Sequence, residues 1–293
     1  MLGLRDTAEV TKPDGFEYYH YAPSMAAAIL FIVLFAISTS VHMAQMIRSR
    51  TWFMIPFVIG GVLETIGYVG RALSANETKG EWTLGPYIIQ TLMTLIAPAF
   101  LAASIYMELG RIVIMINGEK VLFIRRAWLT KIFVGGDVLS FLMQASGGGM
   151  MSGDSISSIN TGQTLVVAGL FVQVVFFGLF LIAAGLFHFR ILQMPTTKSY
   201  ELAWWKKHML SLYVVSGLIF VRSIVRVVEY LQGFDGYIMT HEAFIYVFDA
   251  TLMIIAVVIM NVIHPGEVAK EVRAAKSGRL EDKDGVGMNL MSA

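Results

Sequence analysis

The sequence predicts an all-α membrane protein: a seven-transmembrane-helix bundle with its N-terminus outside and its C-terminus in the cytoplasm. The chain of 293 residues is 56% hydrophobic and 15% charged, and its mean hydropathy is +0.66, far more apolar than a soluble domain of this length. It contains seven runs of mostly apolar residues, each close to the roughly 20 residues that cross a bilayer core of about 30 Å. Its basic residues are also unequally divided between alternate loops.

The predicted spans form one transmembrane domain over residues 24–265. The fourth span is the weakest, because Lys131 and Asp137 interrupt it and three consecutive glycines, 147–149, follow it. Residues 147–162 are expected to form a Gly/Ser loop on the outer side. In chain order, the spans are expected at residues 24–47, 52–73, 84–107, 127–146, 164–187, 209–231 and 242–263.

The orientation follows from the distribution of Lys and Arg, which concentrate in cytoplasmic segments. The opposite segments hold Arg5, Lys12 and Lys79, and three further arginines lie inside predicted spans. The other basic residues all fall on one side, which we therefore expect to be cytoplasmic: Arg48, Arg50, Arg111, Lys120, Arg125, Arg126, Lys131, Arg190, Lys198, Lys206, Lys207, Lys270, Arg273, Lys276, Arg279 and Lys283.

Two terminal segments and one loop complete the predicted organisation. Residues 1–23 mix acidic and basic residues without an apolar core, so we expect an extracellular segment and not a cleavable signal peptide. Residues 266–293 are charged and poor in apolar residues, which predicts a largely disordered cytoplasmic tail. Asn76 begins an Asn-Glu-Thr glycosylation sequon in a loop predicted to be extracellular.

Charged and polar side chains inside the spans are the main functional signal. An ionisable group at mid-bilayer costs about 2.5 to 3.5 kcal/mol on insertion scales, so several in one protein require an explanation. The second span places Gly60, Glu64, Gly67 and Arg71 on one helical face. We predict a polar intramembrane pocket for substrate, biased toward the outer leaflet and formed by Glu64, Tyr68, Arg71, Asp137, Gln144, Gln173, Arg222, Arg226, Glu229, Glu242, Tyr246 and Asp249.

Each of these charges has a structural alternative. Ion pairs alone could lock the bundle, with Arg71 and Arg226 neutralised by Glu229, Glu242 or Asp249. We favour function for the set, because Gly, Ser and Thr achieve helix packing at lower desolvation cost. Pro98 removes a backbone donor from the third span and is expected to bend it near Thr94.

The sequence lacks the signature motifs of several protein classes. There are no cysteines, no phosphate-binding loop, no histidine pair at zinc spacing and no Gly-x-Ser-x-Gly turn, so we predict neither an enzyme nor a metal or cofactor site. The seventh span has no lysine for a retinal Schiff base. A net charge of only +1, with basic residues in short clusters, gives no support for nucleic-acid binding.

Motifs in register across almost the whole chain carry a family resemblance. These motifs begin with residues 21–24, continue with 64–68 and Arg71, 97–100 with Ala103 and Tyr106, 137–140, 144–149, Gly169, Leu170 and Gln173, and end with 222–226, Glu229, Tyr230, Gly233, Glu242, 246–249 and 264–266. In these motifs the sequence resembles the fungal lipid-translocating exporters, also described as RTA-like.

The resemblance implies a seven-span fungal protein of the plasma membrane or an endomembrane. It implies export or translocation of sphingoid long-chain bases, resistance to toxic amphiphiles or, in one branch, porphyrin uptake. The expected partner is thus a membrane lipid or amphiphilic small molecule, moved without ATP hydrolysis by this chain. A membrane sensor that binds such a molecule, and a regulator associated with another transporter, remain alternatives, as does a homo-oligomer.

Overall fold

The computed structural model describes residues 19–122, 125–151, 155–233 and 236–275. Within these ranges every regular element is helical, which confirms the all-α class. The helices are α1 Met25–Ser49, α2 Ile55–Ala75, α3 Leu84–Met115, α4 Arg126–Met151, α5 Ile156–Gln193, α6 Thr197–Glu201, α7 Trp205–Gln232, α8 Tyr237–Thr240, α9 Ala243–Val262 and α10 at residues 266–275.

Six helices in the described ranges are long and apolar enough to cross a membrane: α1, α2, α3, α5, α7 and α9. The 26 residues of α4 are also long enough, but this helix is not among the six. It is the predicted fourth span, in which Lys131 and Asp137 lower the apolar content. The membrane class is therefore confirmed, while the fourth span, the resulting total of seven and the orientation remain predictions.

Helices α4 and α5 extend well into the segment that was predicted as a Gly/Ser loop over residues 147–162. Helix α4 ends at Met151 and α5 begins at Ile156, where the Ser155 hydroxyl accepts a hydrogen bond from the Ser158 amide. Gly147 and Gly162 are packing residues: a Cβ added to either would lie 2.5 Å from the other's carbonyl oxygen. The missing side chains let the two helices meet closely, so this loop prediction was wrong over most of its length.

Helices α2 and α3 pack closely because glycine lines the inner face of α2. A Cβ on Gly70 would lie 2.8 Å from the Gln90 amide nitrogen, and one on Gly60 would lie 2.9 Å from the Ala97 carbonyl oxygen. Glu64 and Arg71 are fully buried on this same face. The inward orientation predicted from their spacing is therefore confirmed.

The outer surface of the bundle is largely apolar. Helix α1 exposes Ile29, Leu30 and Ile37, and α5 exposes Val175 and Ile182. Exposed aliphatic rows of this kind on long helices suit contact with lipid chains. The polar residues are instead gathered inside the bundle, which places the candidate site between helices.

Helix α10 corrects the prediction of a largely disordered tail over residues 266–275. Residues 266–275 are helical, and Val268 and Val272 are buried against the bundle. Arg273 donates hydrogen bonds to the carbonyl oxygens of Ser49 and Arg50, each at 3.0 Å, at the C-terminus of α1. Unsatisfied carbonyls at a helix C-terminus attract cations, so α10 is fastened to the first helix. Residues 276–293 lie outside the described part.

Candidate functional site

Nine of the predicted site residues form one buried ionic network between α2, α7 and α9. Its acidic and basic groups approach one another from different helices, although they are far apart in sequence. The members are Glu64, Tyr68, Arg71, Arg222, Arg226, Glu229, Glu242, Tyr246 and Asp249.

The first half of the ionic network surrounds Arg71, whose side chain is fully buried. Its Nη2 atom lies 2.7 Å from Glu242 Oε1, and its Nε atom donates to the Tyr246 hydroxyl at 2.8 Å. The guanidinium also lies over the rings of Tyr21 and Tyr246, 5.6 and 5.0 Å from their centroids. Glu242 in turn accepts from the Ser24 amide at 2.7 Å, so the start of α1 is tied to this pair.

The second half of the ionic network is centred on Asp249 of α9. One carboxylate oxygen pairs with Arg222 and the other with Arg226, the latter at 2.6 Å. Arg226 also pairs with Glu229 of its own helix at 3.1 Å. Arg222 and Arg226 are four residues apart on α7 and therefore share one face, which allows a single aspartate to bridge both.

Helix α3 joins the two halves through uncharged groups. Gln90 Oε1 accepts from Arg71 at 3.3 Å and from the Tyr19 hydroxyl at 2.8 Å. The backbone carbonyl of Thr94 accepts from Arg222 at 2.5 Å. That carbonyl is available because Pro98, four residues later, has no amide hydrogen to donate.

A π-helical turn in α9 holds two of the network residues. It covers Tyr246–Ala250 and so includes both Tyr246 and Asp249. The hydroxyl of Thr251, the residue that follows this turn, donates to the Tyr246 carbonyl at 2.7 Å. Such turns are rare and frequently occur at functional sites in helices, which agrees with the position of Asp249 between two arginines.

Glu64 differs from the other carboxylates of the ionic network. It is fully buried, and neither carboxylate oxygen has a hydrogen-bond partner among the described residues. Its electrostatic interactions are with Asp249, Arg222 and Arg226. A buried carboxylate without hydrogen bonds is costly, so Glu64 is the residue that structural pairing explains least.

Two adjoining cavities approach the ionic network. The first, here the tyrosine cavity, has a volume of about 60 Å³ and is lined by residues that include Tyr19, Tyr87, Arg226, Glu229 and Tyr230. The second, here the arginine cavity, is much smaller, at about 10 Å³. It shares Arg226 and Glu229 with the first and extends to Arg222 and Asp249. Together they lead to the Arg–Asp pairs.

The remaining three predicted site residues, Asp137, Gln144 and Gln173, lie outside the ionic network. Gln144 donates to Gln173 at 3.2 Å and to Ser140 at 2.5 Å, and this cluster joins α4 to α5. Asp137 is buried beside Tyr106, and neither side chain has a partner at hydrogen-bond geometry in the described part of the chain. These residues form a separate group at α4 and are not contacts of the ionic network.

Tyr19, Tyr21 and Thr94 were missed as site residues by the sequence reasoning. The two tyrosines precede α1 and were assigned to an extracellular segment. Tyr21 nevertheless accepts a hydrogen bond from Arg71, and Tyr19 is linked to Arg71 through Gln90. Burial raises the pKa of Tyr19 to about 12, so its hydroxyl stays protonated and can donate to Gln90. The role of Thr94 could have been predicted, because the residue four positions before a helical proline has a backbone carbonyl that no helix amide occupies.

The fold and this site define a helical integral membrane protein with a buried ionic network. Residues 57–272 match the family described as RTA1 like protein, which is most of the chain. The protein therefore belongs to this family, and the resemblance seen in the sequence motifs is confirmed.

Three relatives from Saccharomyces cerevisiae illustrate the range of the family. Protein RTA1 is 40% identical over 277 residues, with 86% of each chain covered. Protoporphyrin uptake protein 1 is 38% identical, with 86% of this chain and 93% of the relative covered. Sphingoid long-chain base transporter RSB1 is 28% identical, with 85% and 73% covered. No solved structure matches the chain.

Membership supports lipid-related membrane transport as the general function, since the family includes a protein named as a transporter of sphingoid long-chain bases. Other relatives are named as an uptake protein and as a membrane protein.

Proposed function

We propose that this protein moves, or helps to move, a lipid-like amphiphile such as a sphingoid long-chain base between membrane leaflets. The observation that carries the proposal is the buried ionic network, in which four carboxylates and three arginines meet inside a bundle whose outer surface is largely apolar. Intramembrane ionisable residues commonly mark substrate or ion pathways. Such a site suits a molecule with a charged head and an apolar chain.

A cationic amine is the head group that this site fits. Its carboxylates supply the negative charge, and the tyrosine cavity offers aromatic rings and Glu229 at its lining. Aromatic rings and carboxylates are the groups that bind ammonium ions. The apolar chain of the ligand would remain among the exposed aliphatic side chains of the bundle, in contact with lipid.

The membrane arrangement is part of the same proposal. Helix α4 also crosses the membrane, as the predicted fourth span, which brings the number of spans to seven, with the N-terminus outside and the C-terminus in the cytoplasm. The support is its 26-residue length, its packing against α5 and the one-sided distribution of basic residues. The proposed location is the plasma membrane or an endomembrane. No ATP-binding motif is present, so transport is facilitative, coupled to an ion or driven by a partner.

Reconstitution tests this function directly. The purified protein is placed in liposomes, and translocation of a fluorescent sphingoid base is compared for the wild type, Glu64→Gln and Arg226→Gln. Arg48→Lys is the control, since Arg48 is exposed at the end of α1. We expect transport by wild type and control and its loss in the two folded network variants. Wild-type rates equal to those of empty liposomes would reject the translocator.

The docked α10 helix favours a second candidate function, a membrane sensor for such an amphiphile. Its contacts with α1 and with His208 of α7 give a physical connection between the bundle and the C-terminal segment. Ligand binding without translocation, combined with loss of biological response when the tail is removed, would identify the sensor.

A further inference from the structure

We infer that Glu64 is a proton-binding site, and that its carboxyl group exchanges a proton for the ammonium group of the substrate. The inference rests on the proposed function and adds the coupling ion to it. Transport would then be an exchange of one cation for another, with protons moving opposite to the amine.

Charge pairing within the ionic network singles out Glu64. Arg71 pairs with Glu242, Arg222 with Asp249, and Arg226 with both Asp249 and Glu229. Three guanidinium groups thus meet three carboxylates, and these six charges balance. The carboxyl of Glu64 is the fourth acidic group. If it is ionised, the ionic network has an excess negative charge inside the membrane.

An uncompensated carboxylate in an apolar interior is strongly unfavourable, and such groups ordinarily become neutral. Glu64 has no hydrogen-bond partner among the described residues and no exposed surface. A bound proton restores neutrality without requiring any additional space. The empty site therefore favours the protonated acid, and an arriving cation is what would allow it to ionise.

The groups around Glu64 support exchange with a cation. Helix α9 presents Asp249 to it, α7 presents Arg222 and Arg226, and Tyr68 lies one turn along its own helix. Asp249 favours a nearby positive charge, whereas the two arginines oppose one. Both arginines already pair with Asp249. An ammonium group next to Glu64 would therefore pair with the Glu64 carboxylate, which accepts no hydrogen bond from either arginine.

The other neighbouring helices add no charge at this position. Helix α1 faces Tyr68 with Phe31 and Phe35, whose rings stack on it at 5.5 and 5.6 Å. Helix α3 packs against the glycines on either side of Glu64 through Thr94, Ala97 and Leu101.

The proposed route to Glu64 runs through the Arg–Asp pairs. The tyrosine cavity and the arginine cavity lead as far as Asp249, and Glu64 does not line either of them. An ammonium group entering this way must first separate Asp249 from an arginine. When it reaches Glu64, the carboxyl O–H bond breaks and the proton leaves to water. The carboxylate then accepts N–H hydrogen bonds from the ammonium, so the total charge is unchanged.

Proton release on binding tests the inference without any transport measurement. A water-soluble short-chain sphingoid base is titrated into the detergent-solubilised protein at neutral pH, in two buffers that differ in ionisation enthalpy. The difference between the observed heats gives the protons released. For the wild type we expect about one proton per amine bound, as linkage requires when one carboxyl loses its proton.

Three variants make the result specific. Glu64→Gln should bind with essentially no proton release, whereas Glu64→Asp, which keeps a carboxyl, should retain release. Glu108→Gln is the matched control: Glu108 is a second fully buried carboxylate without hydrogen-bond partners in the described part. It belongs to α3 and contacts His208, 3.7 Å away, and its removal should leave proton release unchanged.

The possible outcomes separate this inference from the proposed function. Amine binding by the wild type without proton release, or equal release by Glu64→Gln, overturns the assignment of Glu64 and leaves an amphiphile site standing. Absence of binding by the folded wild type overturns both. An N-acetylated base, which has no ammonium group, should release no proton, and release by this neutral ligand would also contradict the exchange.

Discussion

The Thr94 carbonyl oxygen accepts a hydrogen bond from Arg222 Nη2 at 2.5 Å. In an uninterrupted helix this oxygen would accept from the amide four residues later, but that residue is Pro98. The proline therefore creates an acceptor inside the bundle, and an arginine from α7 uses it. A feature expected to bend a helix also completes the ionic network.

Arg222→Lys should destabilise the protein although it preserves the positive charge. One guanidinium reaches both Asp249 and the Thr94 carbonyl, whereas an ammonium lacks the planar fork needed for both contacts. Loss of one buried hydrogen bond predicts a cost of about 1 to 3 kcal/mol. Thermal unfolding in detergent measures it, with the exposed Arg48→Lys as control. Equal melting temperatures for the two variants would contradict the bridging role.

Asp249→Asn should lower the free energy of unfolding more than Glu229→Gln does. The first change leaves Arg222 and Arg226 without their shared carboxylate, and breaking a buried pair costs on the order of 3 to 5 kcal/mol. The second removes a pair within one helix whose glutamate is partly exposed. Chemical unfolding of both variants tests the order. Combining Asp249→Asn with Arg222→Met should recover part of the loss, since one unpaired charge is then removed.

Gly70→Ala should weaken the contact between α2 and α3. The added Cβ would lie 2.8 Å from the Gln90 amide nitrogen and 3.0 Å from the Pro86 carbonyl oxygen, and backbone atoms cannot rotate away. Overpacking of this kind typically costs about 1 to 3 kcal/mol. Gly217→Ala in α7 is the control, because its Cβ meets no atom within 4 Å. That variant should be neutral or more stable, since alanine favours helix.

Two truncations should have different effects. Removal of residues 276–293 leaves all the described contacts of α10 in place, so the melting temperature should not change. Removal of residues 266–293 exposes the surface covered by Val268 and Val272 and deletes the Arg273 contacts with α1, so the melting temperature should fall. If the longer truncation melts like the full chain, α10 contributes nothing to the fold. A translocator should keep transport after the shorter truncation.

Mild acid should destabilise the protein through His264. Burial, together with the neighbouring His208, lowers the pKa of His264 to about 4, below the value of about 6.5 expected in the unfolded chain. The unfolded state therefore binds more protons between these values. The stability contributed by neutral His264 is complete above about pH 6.5 and is lost as the pH falls toward 4.

Melting temperatures measured between about pH 7 and pH 5 test this dependence. The variant His264→Asn should show a weaker fall than the wild type. His241→Asn, which replaces an exposed histidine, should follow the wild-type curve. A wild-type slope retained in His264→Asn would assign the dependence to another group.

The helical class and the inward face of α2 were predictable because both depend on local periodicity. Gly60, Glu64, Gly67 and Arg71 repeat at helical spacing, and a charged face of that kind must turn away from lipid. Partners were much harder to predict. Arg71 could have paired with Glu229, Glu242 or Asp249, and only the relative positions of α2, α7 and α9 select Glu242.

The incorrect predictions have a common physical origin. The glycines at residues 147–149 and the charges after residue 266 indicate loop or disorder when considered alone. In the folded chain Gly147 permits close approach to Gly162, and Val268 and Val272 bury an apolar stripe that the surrounding charges obscured. Tertiary contacts with α5 and with the bundle override these local preferences, and no single-helix pattern contains them.

Asp249 and the two arginines that it binds connect three helices, α9, α7 and α3, at one level of the bundle. The Asp249 carboxylate joins α9 to α7, and the same arginines reach the backbone and hydroxyl of Thr94 on α3. Most side chains of the surrounding core are apolar and can slide, whereas these directional contacts cannot do so without breaking. The ionic network therefore fixes one point of contact between these helices. If the helices tilt while its contacts remain intact, the distance between them must increase on one side of the ionic network and decrease on the other.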